Sequence, residues 1–313
     1  MCRARTLREQ NRLAQGGEMA TRLVSIVVTA FLGLILGSGS VLADEGGQHG
    51  DQNGDHNGKG LTCSGTPTAP GTIAPGTYES ITVTGTCLIP SGIVRVRGDV
   101  SVKQGAVFLA NFPPMGGPEG DATLLVRGDL TVGRGAMVVL GCSPAVGCEL
   151  TTNDRIDGDV RADQPLGLIF HSNSIGGDIS LRGGGGGVTC DPSGIFGPAY
   201  STFEDSTIGG DVSIVNYNAC WLGFIRNRSH GDVSIVNNQL ADPDAIEILA
   251  NRIAGDLKCR ANSFVWDSSD VSPIGELWPR EQHPNTVRGD RIGQCDKLQD
   301  PTTEGGTRGP LPF

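Results

Sequence analysis

Aromatic side chains make up only 5% of the 313 residues, so no conventional aromatic-rich core is available. The longest apolar stretch, Leu23 to Leu36, covers 14 residues and falls short of the ~20 that a membrane-spanning helix needs. No Cys-x₂₋₄-Cys spacing occurs, and the closest pair, Cys142 and Cys148, has five residues between them. That spacing argues against a structural zinc site. No Gly-X-Y period accompanies the glycine, which excludes collagen. No basic stripe is visible along the sequence, and the formal charge is −10. Residues 1–43 hold five arginines and two glutamates, so the remainder is more acidic still. Such a field repels phosphate backbones and anionic lipid heads, and nucleic acid is not an expected partner.

Glycine, by contrast, is abundant at 48 residues, well above the usual ~7%. Together with plentiful Val, Ile, Ser and Thr it predicts many short strands and tight turns. Met19-Ala-Thr-Arg22, the apolar run after it and Val41-Leu42-Ala43 have the charged, apolar and cleavage regions of a signal peptide. The expected organisation is therefore an upstream extension over 1–18, a signal peptide over 19–43 and a disordered polar linker over 44–60. An ordered domain follows over 61–297, then a loose tail over 298–313. The mature chain would be secreted and extracellular, with no membrane span. It lacks a sorting motif or a terminal apolar anchor.

Cys2 falls in the discarded part. The eight remaining cysteines, an even number in an exported chain, read as disulfides.

One element recurs: an aliphatic residue, a variable residue, Gly, Asp, an aliphatic residue, a variable residue and usually a third aliphatic. The copies begin at Val96, Val126, Ile156, Ile175, Ile208, Ser229 and Ile253, with a degraded one at Val287. Their glycines, at 98, 128, 158, 177, 210, 231, 255 and 289, lie 19 to 34 residues apart. Each copy alternates apolar and polar, the period of a strand with one buried face. A strand this short cannot bury that face alone, but a stack of equivalent strands can. The shortest spacings suit one coil of three short strands, and the longer ones add a loop. Nothing between copies has helical periodicity, which disfavours leucine-rich and helical repeats.

The predicted fold class is all-β: a right-handed parallel β-helix (β-solenoid) with disulfides. Its contacts run between neighbouring coils, favouring the pairs Cys63–Cys87, Cys142–Cys148, Cys190–Cys220 and Cys259–Cys295. The repeated Gly is expected to turn the corner before the strand with positive φ. Asn173, Asp205, Asn227, Asn251 and Asn285 are expected to stack as an amide ladder. Leu61 to Pro90, with Ile81-Thr-Val83 as a strand and Cys63 and Cys87 tying it down, would form an N-terminal cap, Arg291 to Lys297 would close the other end, and Leu181 to Gly187, with its five glycines, would be a floppy loop.

Candidate chemistry is thin. Arg97-Gly98-Asp99, Arg127-Gly128-Asp129 and Arg288-Gly289-Asp290 spell an integrin-binding tripeptide, but their Gly-Asp belongs to the repeat. Asn53, Asp55, Asn57 and Gly58 fit the start of a calcium loop, yet position 12 would be Ser64 instead of Glu. The repeated aspartates form a column in which Asp178, Asp211 and Asp232 are candidate calcium ligands. The plainer reading is that each Asp faces water or accepts a turn amide. No other cofactor is implied. Trp221, Trp266, Trp278, Tyr200, Tyr217 and Phe224 either pack the inter-repeat segments or stack on sugars.

The Ile208-Gly-Gly-Asp-Val-Ser-Ile214 element, Thr62-Cys63 and Gly293-Gln294-Cys295 resemble secreted bacterial right-handed β-helix proteins of unknown function. The resemblance covers about residues 61–297, implies fold and export, and carries no active site to transfer. Parallel β-helices also include polysaccharide lyases and glycoside hydrolases. The polygalacturonase motifs are missing here: there is no Asp-Asp pair and no Arg-Ile-Lys, and only Ser229-His230-Gly231 is faintly similar to the Gly-His-Gly motif. The expectation is a structural or interaction protein, adhesive or glycan-binding through a rigid face. Its partner would be an extracellular glycan or cell-surface component. The alternative is a polysaccharide lyase or glycoside hydrolase.

Overall fold

A computed structural model describes residues 59–110, 121–143, 148–191, 197–242, 246–263, 265–270 and 283–296. The upstream extension, the signal peptide, the calcium-like residues Asn53 to Gly58, Trp278 and the tail over 298–313 lie outside these residues.

Among the described residues there is no helix, and the chain is all-β. The strands fall into three main sheets, which the chain visits in turn. The first sheet runs from Leu61–Cys63 to Arg291–Gly293 and contains, as its third to tenth strands, the part of all eight copies that follows Gly-Asp, while each copy's leading residue ends a strand of the third sheet. The second begins at Gly71–Thr72 and the third at Gly76–Tyr78. All strand pairings but one are parallel; the exception joins Trp266–Asp270 to His283–Pro284. A small extra sheet pairs Asn218–Ala219 with Gln239–Leu240.

Register follows the repeat. Val212, Ser213 and Ile214 lie beside Val233, Ser234 and Ile235, and those beside Leu257, Lys258 and Cys259. The aliphatic residues point inward and are buried, while the serines between them are part-exposed. Each fully buried Val, Ile or Leu contributes roughly 1.5–3 kcal/mol, and the copies above and below supply its packing. Ile81–Val83 joins this same sheet below the first copy, with Leu61–Cys63 beneath it.

The repeated glycines do not have positive φ, contrary to the sequence expectation. Their requirement is close approach. At Gly210 a Cβ would lie 2.0 Å from Asp178 Oδ1 and 2.8 Å from the Gly177 carbonyl carbon. The space is taken because each Asp carboxylate folds over the next coil's glycine to reach the amide beyond it. Asp178 Oδ1 accepts from Asp211 N at 2.8 Å, and Asp211 Oδ1 accepts from Asp232 N at 2.8 Å. The same bond repeats from Asp99 to Asp290. Gly and Asp thus form one lock between coils.

Inside the corner after the second sheet runs a ladder of Asn173, Ser206, Asn227, Asn251 and Asn285. Asp205 was expected in it, but Ser206 takes that rung; Asp205 instead adopts left-handed backbone, with φ 52°. A second ladder, Asn238, Asn262 and Gln294, lines the corner after the first sheet. Buried amides in both ladders find partners one coil away, as buried backbone groups require.

Gly183 to Gly187 are not a floppy loop. All five have φ between 64° and 113°. Gly185 N donates to Pro165 O at 2.8 Å, and Gly187 N to Asn218 O at 3.0 Å. A Cβ on Gly184 would lie 2.1 Å from Pro165 O, so left-handed backbone and lack of room together demand glycine.

The cysteines form four disulfides: Cys63–Cys87, Cys142–Cys148, Cys190–Cys220 and Cys259–Cys295, with Cα separations of 6.3, 5.9, 4.5 and 5.4 Å.

Candidate functional site

The outer face of the first sheet presents one residue per coil midway along each strand. In order these are Thr82, Ser101, Thr131, Arg161, Ser180, Ser213, Ser234 and Lys258, all in register. Neighbours are one strand spacing apart, ~4.8 Å. Small hydroxyls suit the site because the alternation that buries Val and Ile leaves the middle residue outside. Two residues earlier runs the Asp column, giving the face a second polar row at the same pitch.

A groove of about 670 Å³ crosses four of these coils. This shallow depression is lined by Ser101, Thr131, Arg161 and Ser180 of the column, together with Lys103, Gln104, Asp163 and Arg182. Arg161 bridges the Asp129 and Asp159 carboxylates. The Asp159 amide donating to Asp129 Oδ1, joined by that guanidinium, holds the Asp129 carboxyl below its usual range against the cost of partial burial. Lys103 and Arg182 make no ion pair among the described residues. The groove therefore offers hydroxyl, amide, cationic and carboxylate groups on a rigid backbone, a set suited to hydroxyl-rich ligands. Asp163 is its one lining carboxylate apart from those bound by Arg161, whereas hydrolysis of a glycosidic bond takes two.

Asp178, Asp211 and Asp232, the candidate calcium ligands, stand in line and do not converge. Each Oδ1 is held by the next coil's amide. The one convergent group of metal-type donors among the described residues is Cys190, Cys220 and Asp242, and its sulfurs are joined in a disulfide. Asp99 and Asp129 of the first two Arg-Gly-Asp tripeptides likewise commit Oδ1 to the coil lock, which Asp290 of the third enters through its backbone amide.

A second polar cluster lies on the outer side of the second sheet. Glu204 is fully buried. Its Oε1 accepts from Thr202 Oγ1 at 2.8 Å and its Oε2 from Arg226 Nη2 at 2.8 Å. Arg226 also grips Asp205 through Nε at 2.7 Å. His171 stands in register with Glu204, its Nδ1 4.0 Å from Glu204 Oε2 and without a hydrogen-bond partner. Burial pushes the His171 pKa down, against the pull of Glu204 and Asp205, and so favours the neutral ring. Sequence reasoning missed this cluster, because its members gather only when strands 21 to 33 residues apart are aligned.

Tyr217 and Phe224 are fully buried and Trp221 is 4% exposed. These three pack the protein and are not exposed for stacking on sugars. Tyr200 sits against Trp221, with ring centroids 6.0 Å apart. No helix among the described residues is long and apolar enough to cross a membrane. No protein family, curated protein or solved structure matches the chain.

Proposed function

We propose that the protein is a secreted, right-handed parallel β-solenoid that binds an extracellular glycan along the outer face of its first sheet. The observation that carries this reading is the shallow four-coil groove lined by Ser101, Thr131, Arg161 and Ser180. Right-handed winding follows from the strong preference of parallel crossover connections. Export is supported by the leader-like N-terminus and by four disulfides, which persist in oxidising compartments. The resemblance to secreted bacterial β-helix proteins points the same way.

A rigid face suits binding because the receptor loses little conformational freedom on association. Hydroxyls recur along the column, interrupted by Arg161 and ended by Lys258, so an extended polymer meets a hydroxyl at most steps. The hydrolase alternative gains nothing here, since free paired carboxylates are missing from the groove.

The test is binding of the mature protein to a panel of neutral and acidic polysaccharides. The comparison is a Ser101→Leu/Thr131→Leu variant, which replaces two lining hydroxyls by bulk. Binding by the native protein, weakened at least tenfold in the variant, is the expected result. Failure of the native protein to bind any glycan would overturn the reading, as would an unaffected variant.

A further inference from the structure

The third sheet has an outer face of its own. Its mid-strand column runs Arg95, Leu125, Arg155, Ser174, Thr207, Arg228, Arg252 and Thr286, each beside the next in register. Two residues further along the chain, Arg97, Arg127, His230 and Arg288 occupy equivalent positions in their own coils. The arginines here are exposed. Two of them are neutralised: Arg97 by Glu79 and Arg155 by Asp157. Arg95, Arg127, Arg228, Arg252 and Arg288 make no ion pair among the described residues.

Arg228 and Arg252 lie side by side on adjacent strands. Like charges facing each other across a strand pair destabilise a sheet, and no carboxylate among the described residues pairs with either of these two. A chain of net charge −10 has carboxylates to spare, yet none among the described residues forms an ion pair with them. Such an arrangement is relieved by an anion from outside.

We infer that this arginine track binds an extended acidic polysaccharide lying along the stack of coils. The inference rests on the reading of the protein as glycan-binding; it adds a second surface and the anionic class of the ligand. Pitch selects that class. Successive positions are ~4.8 Å apart, matching a polymer with one carboxylate on each sugar ring. Duplex nucleic acid carries one charge per ~1.7 Å, almost three times as dense, and so meets stronger repulsion from the rest of this acidic chain than a polymer with one charge per ring does. Between the two arginine groups, Ser174 and Thr207 continue the column with hydroxyls that hydrogen-bond sugar.

The test uses polygalacturonate, a neutral glucan and duplex DNA, each at low and physiological salt. The proteins are the native mature chain, Arg228→Gln/Arg252→Gln, and the groove variant Ser101→Leu/Thr131→Leu. The native protein is expected to prefer polygalacturonate, with affinity falling as salt rises. The arginine variant should lose about tenfold, the equivalent of two exposed ion pairs of ~0.7 kcal/mol each, and should keep its neutral-glucan binding. Because it relieves repulsion, it should melt no lower than the native protein, and polygalacturonate should raise the native melting temperature more than the variant's. Undiminished polygalacturonate binding by the arginine variant overturns the inference, and so does preferential binding of DNA. If the native protein binds neutral glucan alone, the track is refuted while the groove reading stands. If it binds no glycan at all, both fall.

Discussion

Replacing Gly210 by alanine should weaken the lock between two coils. A Cβ there would fall 2.0 Å from Asp178 Oδ1 and within 2.9 Å of the Gly177 carbonyl. Neither contact is tolerable, so the Asp178 carboxylate must swing away or the coils must part. Either movement breaks the 2.8 Å bond from Asp211 N to Asp178 Oδ1. A hydrogen bond to a charged group contributes ~1.5–3 kcal/mol. Alanine recovers ~0.4–1 kcal/mol by restricting the unfolded chain. The residual backbone clash adds to the loss, so the net cost is about 2 kcal/mol. Denaturant unfolding of the disulfide-intact protein measures it, with Asp178→Ala and the double variant as partners. Because the two residues act on one bond, the double variant should cost less than the sum of the singles, by at least ~0.5 kcal/mol. If Gly210→Ala is as stable as the native protein, or the two changes simply add, the lock is wrong.

Asn251→Ala removes a buried side chain that accepts from Asn227 N at 2.8 Å and donates to Phe224 O at 2.6 Å. Losing both bonds, with the buried Asn227 N–H left without its acceptor, should cost about 2–4 kcal/mol, read from the shift in urea midpoint. His171 has a folded pKa below its unfolded value. The unfolded state therefore binds the extra proton first, and stability should fall as pH drops below ~6.5 until the folded pKa is passed. His171→Leu should flatten that part of the melting temperature against pH curve, and an unchanged slope would contradict the neutral buried imidazole.

The repeat was legible because Gly-Asp and the flanking aliphatics sit close together in the chain, and their alternation reveals which side is buried. The reason for the glycine was not legible. Positive φ is a property of one residue, whereas the clash with Asp178 involves an atom 32 positions away. The same limit hid the second ladder: Asn238, Asn262 and Gln294 look like scattered polar residues until the coils align them. It also displaced Asp205 from the first ladder, since only the corner geometry selects Ser206. The arginine track likewise escaped a search for basic stripes. Thr207, Arg228 and Arg252 are separated by whole coils, and coil length must be known before they become neighbours. Five consecutive glycines suggest slack chain, yet each is fixed in left-handed backbone.

The account stands on equivalent residues of successive copies lying side by side, as Ser213 and Ser234 do. A Ser213→Cys/Ser234→Cys protein tests this directly, because in-register neighbours fall within the ~4.4–6.8 Å Cα separation that a disulfide bridges. Peptide mapping after mild oxidation should find the new 213–234 link in high yield. A Ser180→Cys/Ser234→Cys protein, whose cysteines are two coils apart, should form none. Absence of the first link, or equal formation of the second, would contradict the stacked register.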